Sequence, residues 1–483
     1  MSTNKNANLL LVLVLVILSY FLIFFHLDTT PLAGWDESLY GMRMLYMNEH
    51  HSVLPSFRYF EGMGHPNHKP PLITIVQTLF YKVLGPDNHA LSLRLPIGLC
   101  GLAFVLVNLW ISKKEFGGYY LGAMASVILL TTAAFNRGHV MRTGDHDIFL
   151  SFFMYLALIS AYYFLKSLKG AQRNYKALIL AFVCLYLGFL TKSVVAFFVI
   201  PVIILFAIYS KTILPALKDK WVWVSIISLC LGVFGYFYLF ELLMPDFNEA
   251  LFHDGLGRFQ TKMGISQPFS FFFEQMWEWG FVPYVYLLPL GIYYGFRKEM
   301  GLVQIMSIGW LVCLLIVSIS ESKHNWYSAP IYPMAAFVVA YAVREVTLLI
   351  KNNGAQAGKT LAIYLNIALI IGPICMTISK NYSPARTQVS ERYGYMLKHM
   401  KNAQPQKEFT LLVEDGTPQA AFYIALYNQA YGYKINQEDN VKRISTPQVL
   451  VCDQKKKEAL IKAYEAHTVF TAENCWYIEI DNF

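Results

Sequence analysis

Leu9–Phe25 reads LLLVLVLVILSYFLIFF, without a single charge. A helix crosses the hydrocarbon core with about 20 apolar residues, roughly 17–25 in practice, so this stretch reads as a membrane span. It is longer than the ~7–15-residue apolar region of a secretory signal, and no Ala-x-Ala-like site follows, so it is expected to be retained. Comparable runs recur near residues 90–112, 118–136, 147–165, 177–191, 193–210, 222–244, 280–296, 301–320, 328–346 and 361–379, which makes about eleven spans by the length criterion. Composition agrees: of 483 residues 56% are apolar and 14% charged, against about 45–50% and about 25% in soluble domains. Such a chain has too little polar surface to cover itself in water. The expected fold class is a mainly α, polytopic membrane helix bundle.

The net charge of +8, from 39 Lys+Arg against 31 Asp+Glu, does not point to nucleic acid, because cytoplasmic loops of membrane proteins collect Lys and Arg whatever their function. Lys113 and Lys114, Lys166 to Lys176, Lys211 to Lys220, Arg297 and Lys298, and Lys351 and Lys359 fall in alternate connections. That pattern puts the N-terminus in the cytoplasm. The other connections, roughly 28–89, 137–146, 245–279 and 321–327, then face outward and hold nearly all remaining Asp, Glu and His of the membrane part.

In the first outward loop, 28–89, Glu37–His50 and Pro71–Leu84 read as amphipathic helices along the membrane surface, with Pro71 suited to a first helical turn. Residues 1–380 are expected to form the membrane domain and 385–483 a small soluble α/β domain. Its strands are read at Phe409–Val413, Gln448–Cys452 and Trp476–Ile480, and its helices at Pro418–Tyr427 and Lys455–Ala466. An odd number of spans places this domain outside the cytoplasm. Cys452 and Cys475 lie in it, and their spacing leaves a disulfide and two free thiols equally open. The other five cysteines sit in apolar runs, as small hydrophobes do. No internal repeat or low-complexity tract is present.

Four outward clusters carry groups capable of chemistry. Gly34-Trp35-Asp36-Glu37-Ser38-Leu39-Tyr40 offers two adjacent carboxylates, one of which could be a general base, although acids also favour helix N-termini for the dipole alone. The same loop presents Asn67-His68-Lys69-Pro70-Pro71, where Lys69 suits a phosphate but could equally snorkel to headgroups. Arg142-Thr143-Gly144-Asp145-His146-Asp147 sets two carboxylates beside each other's titration range, although Asp145 alone could be an N-cap. The remaining clusters are Phe252–Phe259, with His253 and Arg258, and Lys323–Pro330, with Tyr327. Carboxylates, imidazoles and cations on one face of a bundle suit transfer from a phosphorylated lipid. Lys69, Arg258, Tyr327 and Lys323 are the phosphate-binding candidates, Asp36, Asp145 and Glu37 the catalytic ones, with Arg142 and Asp147 in support. His68 and His253 could coordinate a divalent metal with a carboxylate, but no tight HxxxH-type spacing accompanies them.

In this order, Asp36-Glu37 with Tyr40, Lys69-Pro70-Pro71-Leu72, Arg94-Leu95-Pro96, Arg142–Asp147, Leu190-Thr191-Lys192 and Lys323…Tyr327-x-x-Pro330 resemble the integral-membrane C-type glycosyltransferases. The likeness is to bacterial relatives of the lipid A aminoarabinose transferase and to the protein O-mannosyltransferases, from the first span to about residue 380. It implies an outward-facing, periplasmic active site in the inner membrane, a polyprenyl-phosphate sugar as donor, and inversion at the anomeric carbon. On the same resemblance Asp36 matches the catalytic carboxylate, Asp145 the second acid, and Lys69, Arg258 and Tyr327 the lipid-phosphate ligands. In the aminoarabinose transferase a Glu before the Lys-Pro pairs with a His before the Arg to bind a metal. Here His253 stands at a similar distance before Arg258, but His68 occupies the Glu position. The acceptor, whether glycolipid, polysaccharide or protein, is not identified. The rival reading is a transporter or flippase of lipid-linked sugars, which would place ionisable groups near the bilayer midplane, often in repeated halves; neither feature is present.

Overall fold

The computed structural model describes residues 5–32, 35–51, 69–243, 266–352, 356–382, 389–403, 406–413 and 418–483. His68, His253 and Arg258 lie outside them. Seven described helices are long and apolar enough to span a membrane: Pro86–Phe116, Asp147–Ser167, Tyr175–Tyr209, Lys220–Leu243, Gly301–Ile319, Ile331–Lys351 and Thr360–Tyr382. Asn8–Phe24 and Tyr120–Thr131 are shorter apolar helices. The chain is therefore a multi-pass membrane protein.

Two expected spans are fused in one helical run and two others are helical only in part, each for a local cause. Tyr175–Tyr209 is continuous in helical residues, but Ser193 has a φ of 56° and the chain turns back there. Lys192 pairs with Asp147 at one end of the bundle, while Tyr175 and the turn after Tyr209 meet at the other, where the Tyr175 hydroxyl donates to Asp219. Two passes, matching 177–191 and 193–210, are thus hidden in one run. The stretch read as 280–296 is helical as a short turn, Tyr284–Leu287, followed by Leu288–Arg297, because Pro283 and Pro289 interrupt its N-terminal half. Thr131 and Thr132 end the helix after Tyr120 by folding their hydroxyls back onto helix carbonyls, so 118–136 is helical only in part.

Close helix packing rests on small residues, as is usual where lipid supplies no hydrophobic drive between helices. A Cβ on Gly291 would overlap the Val338 carbonyl. Asn108 ties three helices together, accepting from Tyr155 at 2.8 Å and donating to Ser126 at 3.3 Å. In hydrocarbon such an interhelical bond contributes about 0.6–2 kcal/mol.

The surface helices are present as Trp35–His50 and Leu72–Leu84. After the last span, helix Val389–Ala403 leads into a five-stranded sheet: β1 Glu408–Leu412, β2 Lys434–Glu438, β3 Gln448–Val451, β4 Ala466–Ala472 and β5 Cys475–Ile480. The order is β2-β1-β3-β5-β4; β1 is parallel to β2 and β3, and β5 is antiparallel to β3 and β4. Alternation along β1 sends Leu411 to one face, with helices Val389–Ala403 and Pro418–Tyr431, and Leu412 to the other, with Leu460 of helix Gln454–Ala463. The strands β2 and β4 were not legible because their patterns, with Asn436 and His467 among exposed neighbours, bury little. Cys452 and Cys475 form a disulfide joining the end of β3 to the start of β5 across 23 residues, a loop length that stabilises by about 3 kcal/mol.

This domain packs onto the first surface helix. Phe422 lies so close to Gly41 that a Cβ there would be 2.7 Å from its ring. The Tyr423 hydroxyl accepts from the Leu32 amide at 3.0 Å, and the Gln419 amide donates to the Leu32 carbonyl. Leu39, Met42 and Leu45 of the surface helix share one apolar core with Phe422, Tyr423 and Leu426.

Candidate active site

Helix Trp35–His50 sets Asp36, Tyr40 and Arg43 on one face, since positions i, i+4 and i+7 recur every two turns. Opposite them stands Lys69, just before helix Leu72–Leu84. Its Nζ donates to the Tyr40 hydroxyl at 2.5 Å and lies 3.5 Å from Asp36 Oδ2. Asp36 also faces the 137–146 connection: His139 Nδ1 is 4.0 Å from Asp36 Oδ2 and 3.4 Å from Asp145 Oδ1. His139 holds a left-handed backbone, φ 67°, and its amide donates to the Thr143 hydroxyl at 2.7 Å. Thr143 in turn donates to Asp145, so this tight turn fixes both the imidazole and the carboxylate. The His139 ring stacks on Trp326 at 3.9 Å.

Lys192, in the turn before Ser193, donates to Asp147 at 2.5 Å and lies over the Tyr327 ring at 5.2 Å. Asp36, Lys69, Asp145, Asp147 and Tyr327 therefore gather at one end of the bundle from four separate stretches of chain. Burial alone would raise the Asp36 carboxyl, but Lys69, His139 and Lys192 outweigh it and hold the group at about 2. Burial likewise disfavours the His139 imidazolium, yet Asp145 and Asp36 outweigh it and the ring titrates above its ordinary 6.5. The buried His146 ring stacks on Tyr40 at 4.1 Å; burial and the cations Lys69, Arg43 and Lys192 keep it neutral.

Other expected site residues serve the framework. Both oxygens of Glu37 accept from Arg94, at 2.7 and 2.8 Å, and Oε1 also takes the Gly144 amide at 2.7 Å. Glu37 thus stands behind the cluster and anchors the 137–146 turn. Gln77 holds the same turn from the other side, donating to the Gly144 carbonyl at 2.7 Å, and a Cβ on Gly144 would fall 2.9 Å from that of Leu93. Arg142 donates to the carbonyls of Ile23 and Phe25 at 2.8 and 2.9 Å, and to His26, capping the end of the first helix. Lys323 donates to the Gln267 carbonyl at 2.9 Å and to Ser320, just past helix Gly301–Ile319.

The metal candidates of the sequence, His68 and His253, lie outside the described residues. Within them Asp36, His139 and Asp145 bring one ligand atom each to within 4.8 Å of one another. His139 Nδ1 is buried without a hydrogen bond among the described residues. Two ligands bound at about 2.0–2.2 Å from one divalent ion span separations of the size seen between His139 and the carboxylates. The donor set, one imidazole and two carboxylates, fits zinc or a similar ion. His139 was missed by sequence reading because nothing in Asn136-Arg137-Gly138-His139 has ligand spacing.

Residues 68–238 match the family described as dolichyl-phosphate-mannose-protein mannosyltransferase. The Bacillus subtilis (strain 168) protein YkcB, named for a proposed mannosyltransferase activity, is 27% identical over 203 residues, 42% of this chain. That match spans about a quarter of YkcB, 26%. ArnT from Cupriavidus metallidurans, solved with undecaprenyl phosphate bound, superposes with a TM-score of 0.70 at 14% identity, over 99% of this chain and 98% of that one. The Archaeoglobus fulgidus oligosaccharyltransferase reaches 0.60 at 12% identity, over 90% and 65%; the same enzyme has been solved with zinc and sulfate. The chain thus shares the fold of ArnT over its length and is similar in sequence, over 68–238, to the dolichyl-phosphate-mannose-protein mannosyltransferases.

Proposed function

We propose that this protein transfers a sugar, with inversion, from a polyprenyl-phosphate donor to an acceptor on the outer side of the inner membrane, with its N-terminus in the cytoplasm. The observation that carries this reading is the meeting of Asp36, Lys69, Tyr40, His139 and Asp145 from separate connections at one end of the bundle. The acceptor oxygen attacks the anomeric carbon and gives its proton to Asp36. The bond from that carbon to the phosphate oxygen breaks, and its electron pair leaves with the phosphate. Lys69, Lys192 and Tyr327 face the growing negative charge, with Arg258 and Lys323 expected nearby from sequence; Lys323 would act through the loop carbonyls it holds. Groups already oriented toward that charge stabilise the transition state more than the ground state. A phosphate that draws Lys69 away from Asp36 also removes a charge that depresses its pKa, so donor binding makes the carboxylate a stronger base.

A divalent ion held by Asp36, His139 and Asp145 would supply further positive charge against the phosphate. The proton on His139 competes with that ion. Because the imidazole titrates above its ordinary value, metal uptake should strengthen as pH rises through that pKa and should release a proton. Calorimetric zinc titration in buffers of different ionisation enthalpy reads this directly; in His139→Gln the affinity should fall at least about tenfold and the proton release should vanish. Uptake independent of both pH and His139 would exclude this ligand set.

The transferase reading itself is tested by incubating the purified protein with a panel of polyprenyl-phosphate sugars and acceptor extracts. Mass spectrometry should find free polyprenyl phosphate released from one of them. Vectorial movement of an intact donor across a vesicle membrane, without release, would mark a transporter instead.

A further inference from the structure

Arg43 is a fully buried guanidinium, 1% exposed, in the middle of helix Trp35–His50. Among the described residues only Nη2 is used: it donates to the Lys69 carbonyl at 2.9 Å. Nε and Nη1 are buried without a partner among the described residues, and no described carboxylate pairs with it. The other charges of the cluster are matched: Lys69 faces Asp36, Lys192 faces Asp147, and His139 faces Asp145. Burial lowers Arg43 to about 10, so it stays cationic at neutral pH. An unmatched buried charge costs several kcal/mol, and no described residue supplies its counter-charge.

The surroundings say what that counter-charge is. Arg43 lies one turn below Tyr40 on the face that carries Asp36, in electrostatic contact with Tyr40 and with Tyr236 of the span Lys220–Leu243. Lys69 is shared: its Nζ meets Asp36 and Tyr40 while its carbonyl holds Arg43. A surface helix meeting a span is where a lipid headgroup lies. Building on the transferase reading, we propose that Arg43 binds the phosphate of the polyprenyl donor, its open N–H groups extending the cationic cradle begun by Lys69. A guanidinium suits a phosphate because it spreads several fixed donors over one charge.

The test uses the full chain in nanodiscs and measures binding of farnesyl phosphate, farnesol and inorganic phosphate by calorimetry. Wild type should bind farnesyl phosphate well, and farnesol and inorganic phosphate much more weakly. Arg43→Gln, which can still donate to the Lys69 carbonyl, should lose about tenfold to a hundredfold of farnesyl phosphate affinity with farnesol binding unchanged. Arg43→Lys keeps the charge in place and is the variant that folds if Arg43→Gln does not; it should lose several-fold, since a lysine offers a point charge only. Wild-type affinity for farnesyl phosphate in whichever variant folds overturns the assignment and makes the partner of Arg43 a protein group. Equal binding of inorganic and farnesyl phosphate overturns the lipid assignment. Failure of wild type to bind farnesyl phosphate at all removes the transferase reading beneath it.

Discussion

Asp36→Asn should leave the protein folded and reduce sugar transfer by at least about a hundredfold, the lower end of what a positioned general base supplies. Asparagine keeps the shape of the side chain and can still accept from Lys69, so the helix and its contacts survive. It cannot take a proton. Since the neighbouring cations hold Asp36 at about 2, the carboxylate is ionised throughout the neutral range, and the loss should be equally deep at every pH there. The sign for stability follows from the same depression: the ion pairs of Asp36 stabilise the fold above the ordinary carboxylate pKa and are lost only as pH falls toward about 2. Transfer rates with purified donor, measured beside a thermal unfolding curve, decide the matter. A folded Asp36→Asn enzyme with wild-type rate would move the base elsewhere, with Asp145→Asn the next variant to assay.

Glu37→Ala should act in the opposite manner, on the fold first. Glu37 and Arg94 are each 1% exposed, and their two-point contact is completed by the Gly144 amide. Arg94 also donates to the carbonyls of Leu27, Thr30 and Pro31 at 2.8–3.0 Å. Removing the carboxylate leaves a guanidinium in the interior with its carbonyl partners but without its counter-charge, and breaking such a buried pair costs about 3–5 kcal/mol. The unfolding midpoint in detergent should fall sharply, and transfer should fall with the folded fraction. Replacing both residues by Met should recover much of the loss, because the cost lies in the orphaned charge rather than in the absent pair. An unchanged midpoint together with lost transfer would instead give Glu37 a direct part in the chemistry.

The two carboxylates differ in a way their adjacency in sequence conceals. Asp36 and Glu37 are neighbours, but a helix turns successive side chains about 100° apart, sending one toward Lys69 and the other toward Arg94. The spans, the surface helices and the two-part division of the chain were legible because apolar period and run length are local properties. Lys69 and Asp145 were legible as chemically unusual groups at span ends. Arg142 and Lys323 looked alike on the same grounds, yet each sits beside a helix C-terminus whose last carbonyls lack partners, and there the cation is used on backbone. His139 carried no spacing signal; it enters the cluster because a left-handed residue and a threonine fold its loop back. Arg43 did carry one, three and seven positions after Tyr40 and Asp36, visible once the helix is drawn as a wheel.

The contact between Leu32 and helix Pro418–Tyr431 bears on how the protein is assembled. Leu32 is translated early and stands just before the helix that carries Asp36, but its amide and carbonyl find their partners, among the described residues, in Tyr423 and Gln419. While the ribosome is still extending the chain through the membrane, that foundation is open to water. A copy stalled before the terminal sheet is therefore expected to insert without the support that the sheet domain gives the segment beside Asp36.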